Sequence, residues 1–451
     1  MTTADAYYQK MTETPVPKLI VKLGIPTTIS MLITSIYNMA DTYFVGTLGE
    51  SQQAATGILF TLQAIIQAVS FMLGQGSGTL VSKSLAEKNT DRASEYVSTA
   101  FFTGLAAGTA LMLFGLIFQS PLMCLLGSTD TILPYARQYG MWVLIACPFM
   151  VCSFILNNNL RYEGKAFYAM IGLVAGGLLN IFGDWLLINV LQMGVFGAGL
   201  STAVSQFVGF CMLLFFHRKM AQGKIHIKHI SRKLKIYLSI MKVGFPALIR
   251  QGLTSISNGL LNNLTKPFGD AAIAAMSVVN RYSALIMCVG LGIGQGFQPV
   301  ASFNYEAKKY KRVKQGLLFT MGVGVVLVLI MSLPGLFFPD NIIRLFQENK
   351  DVREIGSFAL RCSAVGVLFL PLSIPVNMLY QSIRKAGISS ILSMLRSGLM
   401  LIPTLLITTY FWGLTGIQIS QPVADIGTGL VSIPFILHFM LKTPSEDIKS
   451  E

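Results

Sequence analysis

The chain alternates apolar runs of roughly 20 residues with short stretches rich in glycine, proline and charge. Runs of that length cross the ~30 Å hydrocarbon layer of a bilayer when helical, and a helix satisfies its own backbone there. Twelve spans are predicted, at 19–45, 54–80, 96–118, 138–156, 167–190, 196–216, 237–264, 274–300, 316–338, 357–380, 388–411 and 416–440. The first holds the sharpest polar interruption. Thr34, Tyr37 and Asn38 precede Asp41 by seven, four and three positions, so the four share one helix face. A carboxylate at membrane depth costs a few kcal/mol, so Asp41 is expected to face protein or water.

Composition agrees with the pattern. The 451 residues are 53% hydrophobic and 12% charged, where a soluble fold carries about a quarter charged, and the mean hydropathy is +0.61. The fold class is therefore an all-α polytopic membrane protein. Its parts are a tail at 1–18, a first lobe at 19–216, a basic loop at 217–236, a second lobe at 237–441 and a tail at 442–451. The polar head 1–18 does not read as a signal-peptide n-region, so the first span is expected to be retained. The net charge of +14 concentrates in alternate loops, among them RYEGK, HRKMAQGKIHIKHISRKLK and EAKKYKRVK. That is a positive-inside distribution, and it places both termini in the cytoplasm of a cell-membrane protein. It also turns the reading away from nucleic acid and toward the bilayer and its anionic lipids.

Several chemistries lack support. The six cysteines show no pairing rhythm and no CxxC, and His217, His226 and His229 have no acidic or cysteine neighbours of metal-site spacing, so no metal is expected. GQGSG at 74–78 lies within a span and lacks the GKS or GKT of a phosphate loop, so its small residues read as helix packing. Walker, HExxH and GxSxG motifs are absent, no cofactor is implied, and the chain does not read as an enzyme.

The two lobes are copies. Shifted by 220 residues, KLGIP meets KVGFP, TSIYN meets TSISN and LGQG meets IGQG, with 20 identities over 71 ungapped positions from Lys22 to Arg92. Farther on, a shift of 223 pairs Pro148, Arg161 and Gly164 with Pro371, Arg384 and Gly387. Six spans per copy insert both copies in the same direction, which makes them parallel repeats and points to a secondary transporter working by alternating access around a central cleft.

At this level the sequence resembles the multidrug and toxic compound extrusion (MATE) transporters, most closely the bacterial branch around DinF and the MepA-type exporters. The resemblance rests on the GIP opening, NMADTYFVG at the end of the first span, the duplicated GQG region, the paired six-span lobes and the Gly-rich fifth span with NIFGD, and it covers roughly 15–440. It implies a monomeric antiporter exporting small organic, often amphipathic, molecules against protons or sodium. Lipid-intermediate flippases of the same superfamily are the alternative. Matched by motif, it also implies a cation-coupling cluster of Asp41, Asn180 and Asp184, where a sodium ion could sit, with Asn157 and Thr202 as neighbours.

Residue chemistry adds to that. Asp41, Asp184 and Asp425 are the acids inside predicted spans. Two carboxylates sharing a partly dehydrated cavity repel, so one is expected to hold a proton near neutral pH, unless a hard cation takes its place. Asn38 keeps a partner in Asn258, but Asp41 aligns with Leu261, and the 223 shift sets Asn180 on Pro403 and Asp184 on Ile407. Ion coupling is thus expected in the first lobe alone. The second lobe instead carries Arg250, Arg281, Arg361 and Arg396 in or near its spans. Tyr37, Asn38, Arg250, Asn258 and Arg281 are expected along the substrate pathway, and Asp425 is a candidate partner for one arginine.

Overall fold

The computed structural model describes residues 3–344, 346 and 349–444, and all regular structure among them is helical. The first copy comprises α1 (Thr3–Glu13), α2 (Val16–Gly46), α3 (Glu50–Ala86), α4 (Thr90–Ile117), α5 (Gln119–Leu125), α6 (Leu133–Tyr162), α7 (Ala166–Asp184) and α8 (Gly194–Met220). A π-helical turn, Trp185–Val190, prolongs α7. The second comprises α9 (Leu234–Thr265), α10 (Asp270–Glu306), α11 (Tyr310–Phe337), α12 (Pro339–Arg344), α13 (Lys350–Gly366), α14 (Leu370–Ser382), α15 (Ala386–Met394) and α16 (Leu401–Lys442), with a π turn at Leu395–Met400. Among the described residues ten helical segments are long and apolar enough to cross a membrane. The longest of them, Ala386–Lys442, breaks at Gly413 (φ 55°, ψ −127°) and makes two crossings. With α9, the counterpart of α2, these make the twelve expected spans. Of the tail expected at 442–451, Lys442 still belongs to α16, and 445–451 lie outside the described residues.

Turn geometry fixes the repeat. Lys88 and Lys308 both adopt left-handed backbone (φ 57° and 58°), as do Gly164 and Arg384 (φ 70° and 63°), and both pairs stand 220 apart. The turn after α6, closed by Glu163 N–H to Asn159 C=O and Lys165 N–H to Leu160 C=O, recurs 220 residues on, from Ile383 to Leu379 and from Lys385 to Tyr380. The 223 register expected for the later spans is therefore corrected to 220. The prolines that suggested it are not equivalent: Pro148 lies within the continuous α6, whereas Pro371 opens α14 behind a 3₁₀ turn, Val367–Phe369. In the corrected register Asn180 meets Met400 and Asp184 meets Thr404. The acids still belong to one copy.

The chain forms two compact units, and their borders fall inside helices. One holds Ile29–Leu248 with the segment up to Tyr8; the other holds Gln9–Thr28 with the chain from Ile249 onward. Each copy's opening helix thus spends its first turns in the unit built mainly from the other copy. Glycines permit this. A Cβ on Gly244 of KVGFP would lie 1.8 Å from the Met72 carbonyl oxygen, and one on Gly76 would lie 2.1 Å from that of Ile240. In the second unit a Cβ on Gly296 would lie 2.4 Å from Cα of Gly24 in KLGIP. The duplicated GIP/GFP and GQG motifs are the two sides of one close helix crossing.

The basic loop is fastened to the first unit. Backbone N–H groups of Lys224, His226 and Ser231 donate to Ser94 Oγ, Ser98 Oγ and Thr99 Oγ1 on α4, at 2.9, 3.1 and 3.0 Å. Glu163, 1% exposed, accepts from the N–H groups of Gln222 (2.5 Å) and Gly223 (3.3 Å). Burial pushes this carboxyl up to about 7, against the pull of those two bonds and of Lys165 and Lys224.

Candidate functional site

The first unit gathers polar side chains from four helices around Asp41. Tyr139, in the first turns of α6, donates its hydroxyl to Asp41 Oδ2 at 2.7 Å and lies 3.4 Å from Thr202 Oγ1 on α8. Asn180 on α7 donates to Ser201 Oγ and to Thr202 Oγ1, both at 3.3 Å, and Ser201 Oγ donates to the Asn180 carbonyl at 3.0 Å. Asp184, one turn beyond Asn180, ends α7 where the π turn begins. All are buried: Asp41 is 3% exposed, Asn180 2%, Asp184 0% and Thr202 5%.

The donors and acceptors do not balance. Asp41 Oδ1, Asn180 Oδ1 and both carboxylate oxygens of Asp184 are buried with no hydrogen-bond partner. Buried acceptors left this way cost ~1–3 kcal/mol each, more when charged. Tyr139 bridges Asp41 and Thr202, and Thr202 accepts from Asn180, so one hydrogen-bonded path joins α2, α6, α8 and α7. Two carboxylates, an amide oxygen and a hydroxyl in a buried site suit a proton or a hard cation such as sodium, and offer nothing to a soft metal. Among the described residues no cluster of three His, Cys, Asp or Glu side chains suits a resident metal.

Of the residues expected in this cluster, Asp41, Asn180, Asp184 and Thr202 come together. Asn157 points elsewhere: its amide donates to the Ala169 carbonyl at 3.0 Å and ties α6 to α7. Tyr139 and Ser201 escaped the sequence reading. A tyrosine at the end of a predicted span reads as an interfacial anchor, and only its spacing to other helices reveals the bond to Asp41. Tyr37 lines a separate 20 Å³ pocket with Thr34, Phe154 and Gln206. Asn38 is half-buried.

In the second unit Asp425 pairs with Arg396, as one of the arginines was expected to. Arg396 Nε donates to Oδ1 at 2.7 Å and Nη2 to Oδ2 at 3.4 Å, and Gln421 adds a third bond at 2.9 Å. Arg250 lines a 30 Å³ cavity beside Arg396. Arg281, Arg361 and Asn258 are exposed on their helices and do not line it.

The MatE family model matches this chain twice, over residues 26–186 and 246–406, again 220 apart. The multidrug export protein MepA of Staphylococcus aureus (strain MSSA476) is 26% identical over 421 residues, 93% of this chain and 92% of that one. A crystal structure of a MATE protein in complex with MaL6 superposes with a TM-score of 0.91 at 23% identity, covering 98% of this chain and 99% of that one. An outward-facing multidrug resistance MATE transporter of the MOP superfamily superposes with a TM-score of 0.90 at 23% identity, covering 96% and 97%. With both copies matched over most of their length, the chain belongs to the MATE family of membrane transporters.

Proposed function

We propose that this protein is a multi-pass plasma-membrane antiporter that exports small organic, drug-like molecules by alternating access, driven by inward movement of protons or sodium. The observation that carries the reading is the buried cluster of Asp41, Asn180, Asp184 and Thr202, whose orphaned oxygens belong to one copy only. A scaffold duplicated for symmetry would not retain two unbalanced acids unless they bind something. Arrival of a cation from outside satisfies these oxygens; its departure inward restores their mutual repulsion. That difference in free energy between occupied and empty states can bias a two-state protein. Export of drug-like compounds is supported by the likeness to MepA, and the positive-inside charge pattern supports cytoplasmic termini. The test is dye efflux from proteoliposomes with a pH gradient or a sodium gradient imposed separately. One of the two should drive export in the native protein and fail in Asp41→Asn; export by Asp41→Asn and Asp184→Asn at native rates would overturn the proposal.

A further inference from the structure

The second unit opens a cavity of 580 Å³ at the helix ends remote from the basic loops. On α13, Asp351, Glu354, Ile355 and Phe358 stand at offsets of zero, three, four and seven, so one helix face supplies a wall. Phe268, in the 3₁₀ turn Lys266–Phe268 after α9, supplies another. Thr415 and Gln418, just past the break at Gly413, supply a third. Pockets of ~300–1,000 Å³ hold drug-sized molecules, so a ring with a polar head fits.

The polar atoms of the lining are mostly acceptors. Asp351 and Glu354 are exposed, and no hydrogen bond or ion pair reaches either carboxylate among the described residues. The dipole of α13 accounts for an acid at Asp351, but Glu354 lies a turn farther in, beyond that effect. Arg353, the base between them, is taken by Asp340, with Nε donating to Oδ1 at 3.0 Å. Gln418, 6% exposed, donates its amide nitrogen to the Ile355 carbonyl at 2.8 Å, and its amide oxygen accepts nothing. A nearly buried side chain is thus fixed in the cavity wall with its acceptor unused. Among the described residues no lysine or arginine lines the cavity, and the Thr415 hydroxyl is the one side-chain donor left. Phe268 and Phe358 stay 38% and 45% exposed, which leaves ring surface for a cation or a second ring.

We infer that this cavity binds an organic cation with several N–H donors on a flat aromatic body, an arylamidinium or arylguanidinium. Such a head can serve two carboxylates and an amide oxygen, while its ring packs on phenylalanine. A quaternary ammonium brings the charge without the donors. The positive-inside reading puts this mouth on the outer surface. Binding there does not depend on the export reading, and none of the lining residues belongs to the Asp41 cluster.

The test is calorimetric titration of the full-length protein in nanodiscs with benzamidinium, with phenyltrimethylammonium as the cation lacking donors, and with benzoate. Benzamidinium should bind, phenyltrimethylammonium should bind at least about fivefold more weakly, and benzoate should not bind. Asp351→Asn with Glu354→Gln should weaken benzamidinium at least about fivefold, and Phe358→Ala about threefold. If the double variant does not accumulate, Glu354→Gln alone serves, and should weaken it about twofold. No benzamidinium binding, equal binding of phenyltrimethylammonium or benzoate, or unchanged affinity in the carboxylate variants would each overturn the inference.

Discussion

Among the described residues Asp41 and Asp184 are buried acids with carboxylate oxygens that no hydrogen bond reaches, whereas Asp425 has Arg396 and Glu163 has two backbone amides. The difference predicts opposite consequences of substitution. Asp41→Asn and Asp184→Asn should leave expression and thermal stability near native while gradient-driven efflux falls at least tenfold, because each removes an unbalanced charge. Arg396→Met should instead destabilise by about 3–5 kcal/mol, since it strands Asp425 in an apolar setting, and Arg396→Met with Asp425→Leu should recover most of that loss in a thermal melt. Tyr139→Phe tests the residue that sequence did not disclose. Loss of a hydrogen bond to a charged acceptor is worth ~1.5–3 kcal/mol, so the ion dependence of efflux should shift while folding persists. Asp41 was legible because a lone acid breaks an apolar run. Tyr139 was not, because its partner is 98 residues away.

At the scale of elements, periodicity located the helices and the duplication, and the contacts added what the repeated motifs do. Gly76 and Gly244 sit where a side chain would strike backbone rather than a movable group. Gly244→Val should therefore cost several kcal/mol of packing and show as lost yield or a lowered melting temperature, whereas valine at the open Gly252 of the same helix should leave the melting temperature unchanged or slightly raised, since valine is the better helix former. The three-residue error in the later repeat register arose from matching Pro148, Arg161 and Gly164 to Pro371, Arg384 and Gly387, when Pro148 lies inside a continuous helix and Pro371 follows a 3₁₀ turn. The loop at 217–236 was read as a topology signal, and its docking on α4 was hidden because serine and threonine pinning backbone amides leaves no sequence pattern. Its fastening to Glu163 should depend on pH. The docked carboxyl titrates near 7, above its usual 4.5, so docking binds the proton more tightly than the undocked loop does. Its contribution is full below about pH 4.5 and is lost as pH rises through about 7. Amide exchange at Gln222 and Gly223, corrected for the intrinsic rate, should show protection falling between those limits, and Glu163→Gln should flatten the profile.

For the whole molecule, the two copies share helices and turns, while their charges have parted. The first copy buries Asp41 and Asp184 where the second has Leu261 and Thr404, and the second carries Arg250 and Arg396 where the first has Ser30 and Gly176. Duplication supplies one scaffold twice, and the two copies carry different polar side chains on it. That division was half visible in the sequence, where Asp41 lacks a counterpart. Its other half needed the cavities, because Arg250 and Arg396 lie 146 positions apart. The most direct measurement is dye efflux from proteoliposomes of native and Asp41→Asn protein under a pH gradient alone and a sodium gradient alone. The account predicts that one gradient drives export in the native protein and that neither does so in Asp41→Asn. Equal, gradient-driven export by both proteins would contradict it.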